Sequence, residues 1–102
     1  MFVVELFLPL EKPDGSPVPA DLFDRIKTEL TDRFGGVTAH LQSPASGAWK
    51  PEAADVIHDR VVIFEVMIED VDTEWWRQYR HKLEAELEQQ RILARLHQVT
   101  VL

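Results

Sequence analysis

Apolar and polar positions change period along the chain, and the changes mark the elements. From Phe2 to Leu8 the residues Phe2, Val4, Leu6 and Leu8 alternate with Val3, Glu5 and Phe7, the period of a strand with one wholly apolar side. Glu11 to Pro19 holds three prolines and an Asp-Gly pair and reads as a loop. Leu22, Ile26, Leu30 and Phe34 then recur at helical spacing, so a helix is predicted from about Pro19 to Arg33, stopped by Gly35-Gly36. A short half-polar strand, Val37 to Gln42, follows. Ser43 to Asp59 is the longest connection and carries Pro44, Gly47 and Pro51.

The run Arg-Val-Val-Ile-Phe-Glu-Val-Met-Ile, Arg60 to Ile68, has the near-continuous β-branched and aromatic character of a central strand, interrupted by Glu65 alone. Asp72 sits between Val71 and Trp76 at the spacing of a capped and stapled helix start. The stretch Trp75 to Gln89 then places Trp76, Tyr79, Leu83 and Leu87 on one face. A last strand is predicted from Ile92 to Val101. Strand, helix, strand, strand, helix, strand is the α+β, ferredoxin-like βαββαβ order. It implies a four-stranded antiparallel sheet of order 4-1-3-2 with two helices on one face.

That topology assigns two sheet faces. The helix-facing one takes Phe2, Val4, Leu6, Leu8, Val37, Ala39, Leu41, Val62, Phe64, Val66, Ile68, Ile92, Ala94 and Leu96, all apolar. The other takes Val3, Glu5 and Phe7; Thr38, His40 and Gln42; Val61, Ile63, Glu65 and Met67; Arg95, His97 and Val99. An apolar patch of Val3, Phe7, Val61, Ile63 and Met67 on that open face predicts a homo-oligomer, foremost a two-fold dimer.

Composition narrows the classes. The 102 residues suit one domain. Apolar runs fall well short of the roughly 18 to 20 residues that cross a bilayer, so no membrane partner is expected. The formal charge of −7 opposes phosphate backbones, and no basic cluster interrupts it, so no nucleic-acid partner is expected. With no cysteine and no basic leader, the chain fits a reducing cytoplasm.

On the open face Glu5, Glu65, His40, Arg95 and His97 converge, with Arg95 or His97 expected opposite Glu5 and His40 opposite Glu65. The bland reading is a set of ion pairs. The sharper one is an acid/base site between protomers, with Glu65 and His40 as the catalytic pair and Glu5, Arg95 and His97 contacting the ligand. Burial there would favour a protonated carboxyl. Trp49 and His58, at the two ends of the long connection, make either a ligand-covering lid or a plug at the core edge. The histidines His40, His58, His81 and His97 lack ligand spacing, so no metal is expected, and nothing in the sequence calls for a cofactor. Trp75, Trp76 and Tyr79 could form an aromatic ligand box but more simply make a packing face. Arg77, Arg80 and Lys82, offset by Glu74, Glu84, Glu86 and Glu88, read as a solvated surface.

The stretches Arg33-Phe34-Gly35-Gly36-Val37-Thr38 and Gly47-Ala48-Trp49-Lys50, with the Val61 to Ile68 strand, resemble small bacterial proteins of ferredoxin-like, dimeric α+β-barrel type. Such proteins include cofactor-free monooxygenases and isomerases that bind small, often aromatic molecules. The resemblance implies architecture above activity. Three functions are therefore carried forward: a homodimer that binds a small molecule near the open sheet face, a cofactor-free enzyme using Glu65 and His40, and a protein-interaction module using residues 43–59.

Overall fold

The computed structural model describes residues 1–49 and 57–102, with side chains outside 41–59. The elements are β1 (Phe2–Pro9), α1 (Ala20–Phe34), β2 (Thr38–Trp49), β3 (Ile57–Ile68), α2 (Thr73–Glu86) and β4 (Leu93–Gln98). They form one antiparallel sheet of order β2-β3-β1-β4, the topology that the hydrophobic pattern predicts. The apolar side of the central strands packs in one core with both helices. Leu6, Leu8, Val66, Ile26, Leu30, Leu83 and Leu87 are fully enclosed in it, and Phe64 is 1% exposed.

Each helix begins and ends for a local reason. Asp72 caps α2, its Oδ1 accepting the Trp75 backbone N–H at 3.1 Å. Gly35 ends α1 at φ 84°, and its N–H donates to the Thr31 carbonyl at 2.8 Å. Trp75, Trp76 and Tyr79 are a packing face: Phe34 stacks on Trp76 at 5.0 Å and Trp75 on Tyr79 at 4.8 Å. The Glu11 to Pro19 segment folds into a small hairpin, with Val18 N–H donating to Leu10 O at 2.9 Å and the Val18 side chain buried.

Three expectations are corrected. The connection Ser43 to Asp59 is not a loop throughout, because β2 runs on to Trp49 and β3 starts at Ile57, with Gly47, Ala48 and Trp49 paired to Asp59, His58 and Ile57. The register shifts between Gln42 and Gly47, and this irregularity on an edge strand accommodates Pro44, which cannot donate to a ladder. The helices cover the two central strands more fully than the flanking ones, so Ala39 is exposed and Leu96 is 46% exposed although both lie on the helix-facing side. On the opposite side Val3 is only 3% exposed, flanked in register by the longer Met67 and His97, so the open apolar patch is smaller than the pattern suggests. Among the described residues no helix is long and apolar enough to cross a membrane.

Candidate functional site

Antiparallel pairing puts Glu5 of β1 directly opposite Glu65 of β3, two carboxylates side by side at the centre of the open face. Like charges on opposed positions repel. The flanking strands supply the compensating groups. Arg95 is opposite Glu5 and donates from Nη2 to Glu5 Oε1 at 3.1 Å, while His97 Nε2 lies 3.4 Å from the same oxygen. On the other side His40 Nε2 is 3.4 Å from Glu65 Oε2. One polar row thus crosses all four strands: His40, Glu65, Glu5, then Arg95 with His97.

The register corrects one detail. Thr38, not His40, stands opposite Glu65, and His40 is opposite Ile63, reaching Glu65 along the diagonal. The row is unevenly sheltered. The Glu5 side chain is 17% exposed and Glu65 35%, whereas His40, Arg95 and His97 are each about half exposed. Apolar groups frame it: the Arg95 guanidinium lies over the Phe7 ring at 4.7 Å, and Met67 and Leu93 are each 52% exposed. Leu93, paired with Phe7, is an addition to the open face that follows from the register.

Next to Glu65 the surface is concave. Strand β2 begins at Thr38 opposite Glu65, while β1 accompanies β3 as far as Ile68, so β3 from Val66 onward has no partner on the β2 side. The α1–β2 turn closes over that gap. The result is a recess of about 410 Å³ lined by Phe34, Gly35, Gly36, Val37, Thr38, Glu65 and Met67. Among the described residues Glu65 is its sole ionisable lining group, and the two glycines bring bare backbone to its wall. Its volume falls within the range of small-molecule sites.

Trp49 and His58 lie elsewhere. Their backbones belong to the part of the β2–β3 ribbon that extends past Pro9↔Val61, where β1 stops pairing, so in register they are far from Glu65. Their side chains, and with them the choice between lid and plug and the interaction-module reading of residues 43–59, lie outside the described residues. No group of three or more His, Asp or Glu among the described residues is arranged to hold a metal ion. Glu5 and Glu65 are legible in the sequence as members of one face, but their direct opposition depends on the pairing of β1 and β3. The recess, walled by the Phe34-Gly35-Gly36-Val37-Thr38 stretch with Glu65 and Met67, has no signal in the sequence.

Fold and site together define a small α+β sandwich with a charged row on its open sheet face. No family model matches the chain, and no curated protein does. Among solved structures it is similar to a phage SAM lyase in complex with S-methyl-5′-thioadenosine, with TM-score 0.58 and 10% identity over 94% of this chain and 79% of that one. It is likewise similar to a phage SAM lyase in the apo state, with TM-score 0.57 and 12% identity over 94% and 78%. At such identities the likeness is one of fold.

Proposed function

We propose that this protein is a homodimer that binds a small molecule in the recess beside Glu65, at the border of the open sheet face. The observation that carries the reading is a concave site whose one ionisable wall group among the described residues, Glu65, belongs to a row of charged and polar groups. A surface serving only solubility needs neither the concavity nor opposed carboxylates. The apolar frame of Phe7, Ile63, Met67 and Leu93 is the surface a second copy would cover. The lyase structure of similar fold that holds S-methyl-5′-thioadenosine supports a small ligand, and the dimeric α+β-barrel resemblance points the same way.

A second reading is favoured by the contact of 3.4 Å between His40 Nε2 and Glu65 Oε2. A carboxylate and an imidazole at the lip of a recess can pass a proton to and from a bound molecule, as cofactor-free acid/base chemistry requires. In that case Glu65 and His40 are catalytic, and Arg95 with Glu5 orients an anionic group.

The test uses S-methyl-5′-thioadenosine and adenosine as first probes in titration calorimetry against the native protein and Glu65→Gln, with sedimentation velocity on both. Binding that weakens roughly tenfold or more in Glu65→Gln, with sedimentation unchanged, supports the recess. Conversion of the probe that stops in Glu65→Gln supports the enzyme reading. Equal binding by both proteins, or none by either, removes the recess as the site for this ligand class, and a monomer at all concentrations removes the dimer.

A further inference from the structure

A second concavity lies between α2 and β4 and shares no described lining residue with the Glu65 recess. Where α2 leaves the end of β4 uncovered, Trp76, Ala94 and Leu96 form an apolar floor and Thr73, Arg77 and Arg80 a polar rim around a groove of about 300 Å³, with Arg95, whose guanidinium pairs with Glu5, also in its lining. Leu96 is 46% exposed there although its strand position faces the helices. The groove therefore joins uncovered apolar surface to two guanidinium groups spaced three apart on one helix.

Three carboxylates on α2 and at its cap accept hydrogen bonds from other groups. Asp72 caps the Trp75 N–H, Glu74 accepts from Gln78 Nε2 at 3.1 Å, and Glu84 accepts the Ile92 N–H at 2.8 Å while contacting His81 at 3.0 Å. Arg80 Nε is shut off from water with no hydrogen-bond partner, its closest carboxylate oxygen, on Glu84, being 3.8 Å away. Arg77 forms no ion pair among the described residues. In a chain of charge −7, an exposed arginine and one with a buried, unpartnered Nε thus stand together beside an apolar floor.

We infer that the α2–β4 groove binds a small amphipathic carboxylate, its head group held by Arg77 and Arg80 and its apolar body lying on Trp76, Ala94 and Leu96. The guanidinium fork suits a carboxylate, and the apolar floor excludes a bare inorganic anion as the best ligand. At about 300 Å³ the groove stands at the lower end of ligand-site volumes, which selects a short alkyl or single-ring aryl acid over a long-chain lipid.

Titration calorimetry with octanoate, octanol, octylamine and acetate separates the contributions. Octanoate is expected to bind at least roughly tenfold more tightly than octanol, octylamine or acetate. Arg77→Glu, a change at an exposed helical position, should weaken octanoate by roughly tenfold or more with unchanged circular dichroism, and Arg77→Gln should fall between. Glu65→Gln should leave octanoate binding unaltered, so failure here and failure of the recess are read separately. Equal affinity for octanol and octanoate, indifference to Arg77→Glu, loss in Glu65→Gln, or no octanoate binding at millimolar concentration each overturns the inference.

Discussion

Glu84 is the surface-patterned residue whose removal should cost most. It sits near the end of α2, is 11% exposed, and accepts the backbone N–H of Ile92 on Oε2 at 2.8 Å. Ile92 itself is 1% exposed, so its N–H has no route to water. Glu84→Ala therefore leaves a buried donor unpaired and removes a charge-assisted bond, a loss of about 2–3 kcal/mol, of which better helix propensity returns a few tenths. For a domain of this size that lowers Tm by roughly 10–20 °C. Glu84→Gln keeps an acceptor oxygen in place and should lose about 1 kcal/mol or less. Urea denaturation of the three proteins, with hydrogen exchange at the Ile92 amide, tests the argument. A Glu84→Ala protein within about 0.5 kcal/mol of the parent, or a Glu84→Gln protein as unstable as Glu84→Ala, would refute it, because either shows that the acceptor does not hold β4 to α2.

Two further outcomes follow from backbone and burial. Gly35→Ala should destabilise by about 1 kcal/mol, since a Cβ there meets nothing within 4 Å but the φ of 84° is strained for any L side chain; Gly36→Ala, without positive φ, should be near neutral in the same denaturation series. The lone tyrosine, Tyr79, is buried with an unpartnered hydroxyl, and burial first, then the Glu29 carboxylate, pushes its pKa well above the ordinary phenol value. Its folded pKa exceeds its unfolded one, so the linked stability is fully present below about pH 10 and declines as pH rises toward the folded value. Tyrosinate absorbance should consequently appear together with loss of the native circular dichroism in an alkaline titration. Phenolate formation near pH 10 in a protein still folded would contradict the burial argument.

The alternation in Phe2–Leu8, the helical stripes and the buried run at Val61–Ile68 are each local signals, and they suffice for element order and sheet topology because burying those stripes leaves few arrangements. The ribbon formed by β2 and β3 is less legible. Ser43, Pro44, Ser46 and Gly47 have loop chemistry, yet β2 runs through them, across a register irregularity between Gln42 and Gly47. Glu84 fails for a related reason: its sequence neighbours are polar, and nothing local announces that Ile92, eight residues on, presents its N–H to it. The charged row is legible as a set of residues on one face, but the direct Glu5↔Glu65 pairing and the diagonal reach of His40 depend on register.

The two concavities differ in sign for reasons rooted in pairing. On the open face two carboxylates share one guanidinium, and Arg95 stands on the Glu5 side, so with neutral histidines the unbalanced negative charge falls on Glu65, at the wall of its recess. At the α2–β4 groove the exposed Arg77 and the partly buried Arg80 stand beside an apolar floor, with Arg95 also in the lining. A hydrogen-bond donor matches the Glu65 wall of the first site, and a carboxylate matches the guanidinium groups of the second. Selectivity between them thus arises from which charged side chains the fold places at each wall, since the overall charge of −7 would by itself favour cations everywhere.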